Sequence, residues 1–200
     1  MFRSESLYAY PIGPTTLEPG DRLTKLLFEQ QSHYRTVYHW EAEDANNPVE
    51  EFLRIHNDAK KPWTGGVVTV AKTGIPLAQT DMPFTAPAHD ADLTIGKAPD
   101  IITDKDVQET KAEPLPAVNK QPVRIRLTEL TRMSATNTKD EPVILEIVLT
   151  LPGDVTAADA KIEKLPRRFG DLNQKVHLTW TLQLAPGEQK RITVTNTYIR

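Results

Sequence analysis

Histidines, clustered carboxylates, serines and a run of aromatics are the side chains of this sequence with the chemistry to hold a ligand or move a proton. His33 and His39 stand six residues apart, so on one strand they face the same side, roughly 20 Å from each other. A single metal, with ligand distances near ~2 Å, does not reach both. His89-Asp-Ala-Asp92 and Asp100…Asp104-Lys-Asp106 offer hard oxygens to calcium. Calcium, however, takes roughly six to eight oxygens from a shaped loop, and neither stretch has EF-hand spacing. Asp90, Asp92, His33 and His39 are therefore the metal-ligand candidates of a chain expected to hold no metal and no other cofactor. The serines are Ser4, Ser6, Ser32 and Ser134, none within Gly-x-Ser-x-Gly, and Gly65-Gly66 lacks the following Gly-Lys-Ser/Thr of a phosphate loop. No catalytic residue is proposed, although a triad assembled only in space leaves no mark in sequence. The aromatics offer two readings. Tyr34, Thr36, Tyr38 and Trp40 share one face of a strand, and Tyr34, Tyr38 and Trp40 make either a platform for sugar rings or the core of a module.

Those residues need a scaffold, and period-two alternation supplies it. In Lys175–Leu184 the even residues Val176, Leu178, Trp180, Leu182 and Leu184 are apolar, and the odd ones are Lys, His, Thr, Thr and Gln. That is a strand with one dry face and one wet face. Val143–Leu151 alternates similarly, with Ile144 and Val148 on the second face. Val123, Ile125 and Leu127 alternate with Arg124, Arg126 and Thr128 until the phase slips at Glu129–Leu130, which suggests a bulge. Arg22–Glu29, His33–Glu41, Val49–His56, Val67–Lys72 and Ala91–Ile95 read as further strands, as does Arg191–Ile199. Sixteen prolines spread along the chain leave few windows for a helix. Thr156–Leu165, with Thr156 as N-cap, is the one candidate.

Turns repeat along the chain. Arg54-Ile-His-Asn57 precedes Pro62-Trp63 and the run Val67–Val70, as Ser134-Ala-Thr-Asn137 precedes Pro142-Val143 and the run to Leu149. Asparagine starts such turns by bonding to nearby backbone, and proline marks the edge of the returning strand. Leu17-Glu-Pro-Gly-Asp21 and Leu184-Ala-Pro-Gly-Glu188 form a second matched pair, each a Pro-Gly turn before an expected strand. The reading is an all-β chain of two tandem immunoglobulin-like, Greek-key β-sandwich modules with little or no helix. The first module covers residues 1–112 and the second 123–200. Pro114, Pro116 and Pro122 lie in or beside the 113–122 connection.

Several stretches resemble the C-terminal region of a bacterial mucoidy-inhibitor-like family, a conserved domain of unknown function. They are Tyr34-Arg-Thr-Val-Tyr38, Leu53-Arg-Ile-His-Asn57 with Pro62-Trp63, Pro83-Phe-Thr-Ala-Pro87, Asn137-Thr-Lys-Asp-Glu-Pro142-Val and Leu178–Glu188, and they span roughly residues 15–200. The resemblance implies β-sandwich modules of exported proteins, preceded there by a coiled coil that this sequence lacks, and it implies no catalytic residues.

Composition bounds the rest. A net charge of -3 argues against nucleic acid as a partner, and the absence of cysteine removes disulfides and thiolate chemistry. Met1–Leu7 holds no signal-peptide core, and no apolar run is long enough to insert in a membrane as a helix. The compartment is left open, exported or periplasmic if the parent resembles the family. The expectation is a non-enzymatic structural or interaction module of the cell envelope that meets a protein partner or a glycan. The alternatives are a carbohydrate-binding module using the Tyr34/Tyr38/Trp40 face, or the accessory domain of a hydrolase. Its oligomeric state is open.

Overall fold

Alternation becomes pleat over most of the residues from Tyr34 onward that the structure describes. The computed structural model describes residues 2–4, 7–116, 124–157 and 159–200, and no helix occurs among them. The strands are β1 (Phe2–Ser4), β2 (Leu7–Ala9), β3 (Tyr34–Glu41), β4 (Glu50–His56), β5 (Gly66–Lys72), β6 (Ile75–Met82) and β7 (Asp90–Lys97). They continue as β8 (Ile101–Pro114), β9 (Ile125–Asn137), β10 (Val143–Pro152), β11 (Asp154–Ala157), β12 (Lys161–Lys164), β13 (Lys175–Leu184) and β14 (Gln189–Ile199).

A six-stranded sheet runs β12-β13-β10-β3-β4-β7, and a four-stranded sheet runs β11-β14-β9-β8. Their inward residues form one buried cluster, sandwich-like in character. Trp40, Leu145, Ile147, Leu149, Leu178 and Trp180 come from the larger sheet, and Ile101, Met133, Ala135 and Val194 from the smaller. Large apolar side chains at every second position are what drives two sheets together, at roughly 1.5–3 kcal/mol per buried aliphatic side chain. The hairpins β1–β2 and β5–β6 stand as separate two-stranded sheets.

Within this arrangement a unit occurs twice. β3-β4-β7 with the β5–β6 hairpin matches β8-β9-β14 with the β10–β13 pair, in strand order and in register. Trp63 bridges Thr85 as Val143 pairs with Leu184, and Val67 pairs with Asp81 as Ile147 pairs with Trp180. Ile55 pairs with Ala91 as Ala135 pairs with Lys190. Asn57 and Asn137 occupy equivalent corners, both fully buried. Each donates its amide to the carbonyl four residues on, Lys61 at 3.0 Å and Glu141 at 2.8 Å. Each accepts from the backbone N–H two residues on, Ala59 and Lys139, both at 3.0 Å. Each also bonds across to an Ala-Pro turn, where Ala88 N–H donates to Asn57 and Gly187 N–H to Asn137.

The repeats are welded, not strung on a linker. The C-terminal half of β3, Tyr38–Glu41, pairs in parallel with Leu145–Val148 of β10, so one sheet is made of strands from both repeats. The expected division at 113–122 gives way accordingly. β8 belongs with β9, and the chain passes between repeats at Ala98–Asp100, while Glu109–Pro114 continues an edge strand. Residues 117–123 lie outside the described residues, and with them Pro122 and Val123.

Four local expectations are also corrected. The helix expected over Thr156–Leu165 is replaced by β11 and β12, which pair with β14 and β13. Sheet edges there offer the backbone partners that a lone helical turn lacks. Arg22–Glu29 forms no strand. The phase slip at Glu129–Leu130 is not a bulge of β9, whose odd residues Leu127, Thr131, Met133 and Ala135 face inward throughout. The irregularity is at Thr110, on the facing strand β8. Finally, the counterpart of the Leu184–Glu188 turn is Thr85-Ala-Pro-Ala-His89, not Leu17–Asp21.

Candidate functional site

The aromatic stripe of β3 is divided between core and surface. Tyr38 is 3% exposed and Trp40 fully buried, whereas Tyr34 is 69% exposed. The reading of Tyr34, Tyr38 and Trp40 as one sugar platform is thereby corrected. The three share a face, but toward Trp40 that face meets the inner side of the four-stranded sheet. Burial pushes the Tyr38 hydroxyl above its ordinary range, and Lys139 Nζ sits 5.5 Å from the ring centre.

On the opposite face of the same sheet the ionisable side chains pair off. Arg54 of β4 bonds Asp92 of β7 through Nε and Nη2, both at 2.7 Å, and reaches over β3 to Glu146 of β10 at 2.6 and 3.1 Å. Its hydrogen bonds to Asp92 and then Glu146 raise its pKa further. His56 Nδ1 lies 2.7 Å from Asp90 and His33 Nδ1 lies 3.0 Å from Asp58. The Asp90 carboxyl is held below its usual range by the His56 hydrogen bond, and that of Asp58 by the backbone and then the side chain of His33. His39 stands edge-on to Phe52, ring centres 6.1 Å apart. The metal candidates are thus engaged by neighbouring side chains: His56 lies between Asp90 and, at 4.0 Å, Asp58, which also holds His33, and Arg54 joins Asp92 to Glu146. Among the described residues no group of three His, Asp or Glu is placed to hold a metal ion. Asp104 and Asp106 lie on β8, a strand and not a calcium loop, and Asp106 is 3.5 Å from Arg132.

A recess of about 270 Å³ lies among His33, Arg35, Arg54, His56 and Asp90, and a wider, apolar one opens on the other side of the first repeat. Between the inner face of β3-β4-β7 and the β5–β6 hairpin opens a cleft of about 530 Å³. Tyr34, Leu53, Ile55 and Leu93 form its floor, Val68, Val70 and Met82 the hairpin wall, and Phe28, Gln30 and Ser32 the side where the chain enters β3. The hairpin sits here in a way its counterpart does not. Trp63, like Val143, is buried, but Val67 is 68% exposed where its counterpart Ile147 is 1%. Between them the inward side changes from odd to even residues, at Gly65–Gly66. Gly65 lies 3.3 Å, measured from where a Cβ would stand, from the Met82 carbonyl oxygen, an approach that suits a residue without a side chain. The roll of the hairpin sets Val68 and Val70 against the cleft and leaves Ile75 and Leu77 exposed.

Sequence reading found Tyr34 but missed the rest of this surface. Leu53, Ile55 and Leu93 carried the signal, since they alternate along segments already read as strands. The matching Arg54–Asp92–Glu146 bridge joins residues 38 and 92 positions apart, which no local pattern reveals. No protein-family model matches the chain, and neither does any curated protein or solved structure.

Proposed function

We propose that this chain is a non-enzymatic interaction module whose working surface is the open side of the first repeat. The two repeats support reading it as a fused pair of immunoglobulin-like sandwiches, and the sequence resemblance supports placing it in an exported or envelope protein. The observation that carries the reading is the contrast between equivalent spaces. In the second repeat β9 and β10 close on a dry core containing Met133, Ile147 and Trp180. In the first, the same layers stand apart over an apolar floor with Tyr34 open to solvent. Exposed apolar area of this kind, rimmed by polar residues such as Gln30 and Ser32, is characteristic of surfaces that meet a partner. At the cleft itself, lined by Tyr34, Leu53, Ile55, Gln30 and Ser32, the chemistry on offer is burial and hydrogen bonding.

The test is binding of the apolar fluorophore anilinonaphthalene sulfonate to the folded protein. Wild type should enhance its fluorescence saturably, and Tyr34→Lys and Val70→Lys should each weaken binding about tenfold, or 1.4 kcal/mol, without lowering the melting temperature. Equal fluorescence in wild type and both variants would remove the cleft as the working surface.

A further inference from the structure

Strand edges differ sharply in how they are protected. β6 carries Pro76 and Asp81, β7 carries Asp90, Asp92 and Lys97, and β12 carries Lys161, Glu163 and Lys164. β8 combines six charged residues with a bulge, and β11 begins with Asp154. Charges, prolines and bulges of this sort keep edges from pairing with other chains. β5 carries no charge and no proline before its last residue, and the register shift beside its Val70 and Ala71 leaves the extra residue, Leu77, on β6. It reads Gly-Val-Val-Thr-Val-Ala-Lys, and among the described residues it pairs only with β6. Its other edge is therefore an unprotected run of β-branched residues.

The internal repeat says what such an edge receives. The counterpart of β5 is β10, and the edge of β10 away from β13 is where β3 pairs in parallel. There Tyr38, Trp40 and Ala42 turn inward, and the end of β3 lies against β8, whose Lys105 donates to the carbonyls of Ala42 at 2.6 Å and Glu43 at 2.9 Å. In the first repeat the corresponding seat lies beside β5 and above Tyr34 of β3, and it is the cleft.

We propose that the free edge of β5 is a strand-addition site. An extended segment of a partner protein pairs in parallel with β5 and turns alternate aromatic or aliphatic side chains into the cleft, as Tyr38, Trp40 and Ala42 do beside β10. This rests on the reading of the cleft as an interaction surface and adds to it the partner's conformation, direction and side-chain pattern. Backbone pairing supplies affinity in such docking, and alternate side-chain pockets supply selectivity.

The probe is a fluorescein-labelled peptide with the sequence of residues 36–43, read by anisotropy on the full chain. It should bind saturably, displace the apolar fluorophore and protect the β5 amides from hydrogen exchange. Two further peptides carry N-methyl groups on alternate backbone nitrogens, one in each phase. One phase removes the hydrogen bonds to β5 and the other leaves them, so their affinities should differ by about tenfold or more. Equal affinities would overturn strand addition while leaving the cleft as a binding surface. Absence of peptide binding with fluorophore binding intact would do the same. Self-association of the protein that the peptide competes away would make the occupant a second copy and overturn the assignment to a partner protein.

Discussion

Asn137 shows how much one side chain can hold. Its amide donates to the carbonyls of Glu141, Leu184 and Ala185, and its oxygen accepts from Lys139 N–H, all within a site closed to solvent. Asn137→Ala leaves those backbone groups without partners at the corner where β9, β10 and the β13–β14 turn meet. The expected loss is about 2–3 kcal/mol of stability, read by urea unfolding. Asn137→Asp keeps the acceptor but aims a carboxylate at three carbonyl oxygens, so it should cost more than alanine does. If aspartate proved the milder change, the amide would not be the group that matters. Asparagine followed by proline five residues later was legible in sequence as a turn. That both asparagines are buried clamps was not, because three of the acceptors of Asn137 and Asn57 lie 28 to 48 residues away.

Elements were readable where one face is dry and the other wet. β13 and β10 lie near their expected bounds because an apolar residue at every second position in them meets the core. β8 was missed for the opposite reason. As an edge strand exposed along most of its length, it has no apolar face to alternate, and its Asp-Lys-Asp and Glu-Thr-Lys sequence reads as loop. The Ala-Pro turns were half-read. Leu184–Glu188 was seen by its glycine, while Thr85–His89 escaped because Ala88 stands where the second repeat has Gly187. Both residues have positive φ, 59° at Ala88 and 73° at Gly187. A left-handed alanine costs roughly 1–2 kcal/mol, partly offset by the greater entropy glycine loses on folding. Ala88→Gly should therefore stabilise the protein by about 0.5–1 kcal/mol, seen as a higher melting temperature. A lower melting temperature would mean that the alanine methyl makes contacts worth more than the strain.

At the scale of the whole molecule, the sequence pattern revealed repetition but not fusion. Proline density pointed to a connection at residues 113–122, whereas the repeats share a sheet through a parallel seam of only four residue pairs. Such a seam has no short-range signature, since Tyr38 and Leu145 lie far apart in the chain. Arg54 strengthens it from the outer face by bridging β7 and β10. Trp40 is the residue on which both repeats lean, buried in the common core from a strand of the first. Trp40→Ala should cost about 3–5 kcal/mol, and hydrogen exchange should speed up in β4 and β10 together. Faster exchange confined to β10 would show that the repeats open independently.

The parallel seam also sets an order of events. β3 leaves the ribosome about a hundred residues before β10, the strand it must join. Until then its tryptophan face has no layer to close on, and pairing with β4 covers the strand's edge but not that face. Completion of the second repeat thus waits on a contact of long sequence separation, a kind that slows folding. The protein should fold in at least two kinetic phases, with the slower one reporting Trp40 fluorescence, and its nascent chain is exposed to chaperones for that interval.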